Sequence, residues 1–237
     1  MARKFFFGCS FTNYKYPTWA DIIIKNSDTE CYNYGISGCS NETIAKTVTF
    51  ADCKHNFTAD DEIYIMWTHW WRKNLATHKG NWICKGNVYH SDWPRTFCRK
   101  YINYTDLALT NATSIIQTHK AYNIKLNLHW KSIADQEGGE FIHPTKSELD
   151  AIKYVIPFIP KDDILPSYDE EKQTYWAKDC HPTILWHLDL ARRITNINPE
   201  VENWAYSYHK TLSALTEKDY WNKMPEWEGP LRRAYNW

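Results

Sequence analysis

Two short stretches carry residues whose types and spacing could do chemistry. Gly8-Cys9-Ser10 closes an apolar run, Phe5-Phe6-Phe7, near the start of the chain; Asp179-Cys180-His181-Pro182-Thr183 stands far downstream. A serine at the exit of a buried strand holds its hydroxyl at a sheet edge, where helix-start N–H groups can stabilise an oxyanion. A histidine just before a helix lies near the positive end of the helix dipole, which disfavours imidazolium. A nearby carboxylate pulls the other way, fixing the tautomer and favouring the charged form. Serine, histidine and aspartate are the parts of a nucleophilic acyl transfer. Taken singly, each is equally an ordinary turn residue.

The first stretch has an echo, Gly38-Cys39-Ser40, inside Asn33-Tyr34-Gly35-Ile36-Ser37-Gly38-Cys39-Ser40-Asn41. Here the glycines mark a turn, and the residues after Gly38 are expected to cap the following helix. Asn41 could still point into a pocket.

These stretches need elements to hold them. Phe5–Phe7, Cys31–Tyr34 and Ile63–Trp67 read as buried strands, and 123–130 alternates as a fourth. Helical spacing predicts helices over Pro17–Lys25, Asn41–Phe50, Tyr101–Tyr122 and Pro182–Ile194, with Pro182 in the first turn of the last. Ser147–Val155 is a further candidate helix, and about 72–95 reads as irregular. Strands alternating with helices imply an α/β fold, a three-layer α/β/α sandwich around a central parallel sheet. Ligands of such sheets bind beyond the carboxyl ends of the strands, so Ser10, the Gly35–Gly38 turn and Thr68–Arg72 are expected on one edge.

Composition narrows the classes. The 237 residues have a formal net charge of +0 and no dominant basic run, which argues against a nucleic-acid partner. Aromatic content is 16%, with 13 Trp and 16 Tyr, some necessarily core and some available for stacking or docking. Seven scattered cysteines without a CxxC pair read as reduced, buried residues rather than a disulfide frame. The run after Arg3-Lys4 is too short for an export signal, and no stretch approaches a membrane span. The chain divides into a domain over 1–197 and an aromatic-rich extension over 198–237 that could bind a protein partner or a second copy.

Serine after the first strand, a Gly-rich turn after the second, and Asp-x-His-Pro before a late helix together resemble the SGNH hydrolases, or GDSL-type esterases and lipases. The resemblance covers roughly residues 4–195 and implies a flavodoxin-like fold. It implies Ser10 as nucleophile, His181 as base, Asp179 as its orienter, and the N–H groups of Ser10 and Gly38 as an oxyanion hole. No cofactor or metal is implied. The family's third block, Gly-x-Asn-Asp, is replaced by Met66-Trp67-Thr68-His69-Trp70-Trp71-Arg72, so His69 or Thr68 would have to supply the missing donor. Losing one such donor costs about 10²–10³ in rate. Asp179 lies two residues before His181, a spacing shared with SGNH-like proteins that handle carbohydrate acetyl groups. The Gly-Cys-Ser start with a Trp-Thr third block is similar to small SGNH-like proteins of tailed bacteriophages.

The expected activity is hydrolysis of a small ester, with an O-acyl group on carbohydrate preferred because Trp70, Trp71, Trp82 and Trp93 could stack on sugars; Asn41 and Arg72 join Trp70 and Trp71 as candidate substrate contacts. The competing expectation is a catalytically impaired module serving as a binding or structural part of a larger assembly such as a phage particle. The location expected is cytoplasmic or virion-associated. Cys9, turned away by strand alternation, is a weaker nucleophile candidate; Cys53-Lys54-His55 and the scattered histidines lack metal-ligand spacing, although His69, His78 and His90 could converge in the irregular loop.

Overall fold

The computed structural model describes residues 2–76, 82–88, 93–122, 126–127, 177, 181–215 and 219. Strands β1 (Lys4–Gly8), β2 (Cys31–Asn33), β3 (Glu62–Met66) and β6 (Leu126–Asn127) form one sheet in the order β2-β1-β3-β6. Every pair in it is parallel. β1 is central because Phe5, Phe6 and Phe7 are apolar on both faces, and all three are fully buried.

Alternation along β1 sends Phe5 and Phe7 to one face and Phe6 to the other. On the first face they pack with α2 (Asn41–His55) and α4 (Tyr104–Tyr122), through residues such as Ile44, Val48, Ala108 and Ile115. On the second, Phe6 and Met66 pack with α1 (Trp19–Lys25), α5 (Ile184–Ile194) and α6 (Pro199–Ser213). The result is the expected three-layer α/β/α arrangement. Residues 199–213 of the expected extension thus belong to packed structure, burying Val201, Ala205 and Leu212 against the second face.

Three expectations are corrected. The stretch read as irregular contains an antiparallel hairpin, β4 (Arg72–Ala76) with β5 (Trp82–Asn87). The helix expected from Tyr101 is two helices, α3 (Arg95–Tyr101) and α4, because Ile102 turns extended and the Asn103 side chain accepts the Asp106 N–H at 3.1 Å. In α5 the N-cap is Thr183, so Pro182 stands before the cap rather than in the first turn. The candidate helix Ser147–Val155 lies outside the described residues. Among those described, no helix is long and apolar enough to cross a membrane.

Candidate active site

Because the sheet is parallel, the segments leaving β1, β2 and β3 emerge on one edge. Gly8 ends β1 where a side chain would not fit: a Cβ there would lie 2.1 Å from Thr12 Oγ1 and 2.9 Å from the Met66 carbonyl. The chain then turns tightly, with the Cys9 carbonyl accepting the N–H groups of Thr12 and Asn13 at 2.9 and 3.1 Å. Ser10 rides on this turn and is 3% exposed.

The turn is stitched to the segment after β2. Gly8 O accepts the Ile36 N–H at 2.9 Å; Asn13 Nδ2 donates to Gly35 O at 2.9 Å, and Asn33 Nδ2 to Thr12 O at 2.8 Å. Ser40 caps α2 as expected, its Oγ accepting the Thr43 N–H at 3.3 Å. The N–H groups of Cys39, Ser40 and Asn41 are occupied by Ile36 O, Asn74 Oδ1 and Asn111 Oδ1. Those of Ser10 and Gly38 have no hydrogen-bond acceptor among the described residues.

Into this edge comes His181, from the segment before α5. Its Nε2 lies 3.0 Å from Ser10 Oγ, across 171 residues of sequence. The imidazole face stacks on Tyr14, centroids 4.0 Å apart and planes 19° apart, while Phe11 meets it edge-on at 5.9 Å. A second histidine, His187, is buried one helix turn into α5. Burial, and then the proximity of His181, push it down to about 3, so it is neutral at ordinary pH.

Three buried asparagines, Asn41, Asn74 and Asn111, brace this edge. Asn41 grips the Thr68 peptide with both ends of its carboxamide, accepting the N–H at 2.7 Å and donating to the carbonyl at 2.9 Å. Asn111, on α4, accepts the Asn41 N–H and donates to the carbonyls of Trp70 and Arg72. Asn74, on the hairpin, accepts from Ser40 N and Thr43 Oγ1 at 2.5 and 2.7 Å.

No family model matches the sequence, and no curated protein matches it. The structure is similar to that of a lipolytic protein of the G-D-S-L family from Veillonella parvula DSM 2008. That likeness has a TM-score of 0.47 and 14% identity, covering 81% of this chain and 96% of that one. It is also similar to the psychrotrophic esterase EstA from Pseudoalteromonas sp., solved inhibited by monoethylphosphonate, with a TM-score of 0.41 and 11% identity over 86% of this chain and 98% of that one.

The parallel sheet brings Ser10, His181, Gly38, Thr68 and His69 to the same edge. Asp179, His78 and His90 lie outside the described residues, as does the side chain of Trp82. Trp70, Trp71 and Trp93 are core residues, 3%, 1% and 3% exposed, which removes their rings from sugar stacking. Asn41 does not face a ligand, because its carboxamide is occupied by Thr68. Cys9 is buried in the first core, and His55 is held at 2.6 Å by the Tyr34 hydroxyl. Among the described residues, no group of His, Cys, Asp and Glu could hold a metal ion.

Proposed function

We propose that the chain is a serine ester hydrolase of SGNH type. The observation carrying this reading is the 3.0 Å contact between His181 Nε2 and Ser10 Oγ, within hydrogen-bond reach of a nucleophile and its base. Ser10 Oγ attacks the ester carbonyl as its proton passes to Nε2. The carbonyl oxygen becomes an oxyanion, received by the N–H groups of Ser10 and Gly38, with His69 or Thr68 assisting. Collapse expels the alcohol, which takes the proton from His181, and leaves Ser10 acylated. Water, deprotonated by His181, then releases the acid. Asp179 would orient His181 through the opposite ring nitrogen.

The substrate we infer is a small ester with an anionic group. Arg72 is partly buried, and its Nε and Nη1 are buried with no hydrogen-bond partner among the described residues. A guanidinium left so is costly unless an anion meets it. An O-acyl carbohydrate stays compatible with this, but not through stacking on the three core tryptophans.

One observation favours a second reading, an SGNH-like binding module of a larger assembly such as a phage particle. The third block offers no Asn, and the nearby carboxamide of Asn41 is engaged by backbone. Labelling with a fluorophosphonate separates the two. A hydrolase labels at Ser10 and turns over p-nitrophenyl acetate, and Ser10→Ala abolishes both. A wild-type chain as inert as Ser10→Ala overturns the hydrolase and leaves the binding module.

A further inference from the structure

We propose that Tyr14 is the positioning residue of His181, holding the imidazole against Ser10 and sharing the charge it acquires. The inference rests on the reading of Ser10 and His181 as nucleophile and base.

The contact is face to face. With centroids 4.0 Å apart and planes 19° apart, the phenol ring covers one face of the imidazole. A contact on the face leaves the ring edge for hydrogen bonding, and there Nε2 meets Ser10 Oγ at 3.0 Å. Phe11 closes on the ring edge-on at 5.9 Å and meets Trp186 at the same distance.

Tyr14 is itself braced. Tyr16 packs against it at 81° and 5.0 Å, and the Tyr16 hydroxyl donates to the carbonyl of Pro182 at 3.0 Å. Pro182 is the neighbour of His181, so the brace closes a loop. The turn that carries Ser10 holds the ring of His181 through Tyr14 and its backbone through Tyr16. Tyr16 is 1% exposed and cannot drift, which fixes the stacking ring from behind.

The chemistry favours an aromatic face at this place. When Ser10 yields its proton, His181 becomes an imidazolium while the oxyanion forms, and an aromatic face attracts a cation above it. That attraction exists in the transition state and is weak in the neutral ground state, so it acts on kcat. The other histidine nearby, His187, is buried and neutral, and does not compete for the proton. In a chain whose third block lacks the family Asn, a group that stabilises the cationic partner offsets part of what the oxyanion side loses.

The test compares wild type, Ser10→Ala, Tyr14→Phe and Tyr14→Leu in the full chain, by fluorophosphonate labelling and p-nitrophenyl acetate kinetics, with thermal melting as the folding control. Tyr14→Phe keeps the face and is expected within about twofold of wild type. Tyr14→Leu is expected to lose about tenfold in kcat and in labelling rate, with KM within about twofold. If Tyr14→Leu fails to melt cooperatively, Tyr14→Met repeats the measurement with a longer side chain. Equal rates for wild type and the non-aromatic variant overturn the inference and leave the hydrolase standing. A change confined to KM overturns it too, making Tyr14 a substrate contact. A wild type as inert as Ser10→Ala overturns the underlying hydrolase reading instead.

Discussion

The carboxamide of Asn41 pairs with the peptide of Thr68 as one strand pairs with another, receiving its N–H at 2.7 Å and returning a hydrogen bond to its carbonyl at 2.9 Å. Both residues are buried, Asn41 completely, and Asn111 locks the pair from α4. Removing Asn111 leaves the Asn41 N–H and the carbonyls of Trp70 and Arg72 buried without their partner. Asn111→Leu is therefore expected to cost about 2–4 kcal/mol, read as a lower urea midpoint at unchanged slope. It should also slow ester turnover, because the segment bearing Thr68 and His69 loses its anchor. An unchanged midpoint would contradict this account of the edge.

Gly38 and Gly86 offer a matched pair. Both adopt left-handed backbone, φ 75° and 73°, but a Cβ at Gly38 would lie 2.4 Å from the Cys84 carbonyl oxygen, whereas one at Gly86 meets nothing within 4 Å. Gly86→Ala should cost only the backbone term, about 1–2 kcal/mol. Gly38→Ala adds the collision, pushes the hairpin off the second block and moves the N–H assigned to the oxyanion. Thermal melts and turnover should separate the two variants, the Gly38 variant being the worse in both. Equal losses would mean the hairpin yields without resistance.

His187 makes an acid-sensitive core. It is 1% exposed, its Nδ1 has no hydrogen-bond partner among the described residues, and burial, then His181, push it down to about 3 from an ordinary 6.5. Below pH 6.5 the unfolded chain takes up a proton that the folded chain refuses, so stability falls as pH drops from there toward about 3. The slope from this one group approaches about 1.4 kcal/mol per pH unit. His187→Leu should flatten that decline in urea unfolding measured from pH 7 to pH 4. An identical slope in both proteins would assign the acid sensitivity elsewhere.

Arg72 predicts discrimination. Arg72→Gln should lower kcat/KM by about 10- to 100-fold for a p-nitrophenyl ester carrying a terminal carboxylate, the loss expected of a charge-assisted hydrogen bond. With p-nitrophenyl acetate the same substitution should change little. Equal losses on both esters would make Arg72 a scaffold residue.

Much of this was legible in sequence for a physical reason. Phe5–Phe7 and Ile63–Met66 are continuous apolar runs, and only a strand covered on both faces uses such a run. The segments that meet in the Ser10–His181 contact could be placed because β1 and α5 could. The hairpin was not, since Arg72–Ala76 mixes charged and apolar residues with no clean alternation, and its register slips between Arg72 and Asn74. The polar frame was hidden more deeply. Asn74 and Asn111 sit in elements where an asparagine ordinarily faces water, and only the packing of α2, α4 and the hairpin turns them inward. Asn103 did carry a signal, a helix cap, which would have divided the Tyr101–Tyr122 helix. Tyr14 carried none, because its partner lies 167 positions away.

Two segments far apart in sequence meet at Ser10 and His181, and the same seam is sewn again where Asn26 bonds the carbonyl of Asn196 and the N–H of Asn198. Closing a loop of 171 residues carries an entropic cost of roughly 4–5 kcal/mol, and no local element can form this contact early. Turnover would thus act as a clock for chain closure. In a refolding time course, helix signals should return first and ester cleavage last, when the two segments have joined.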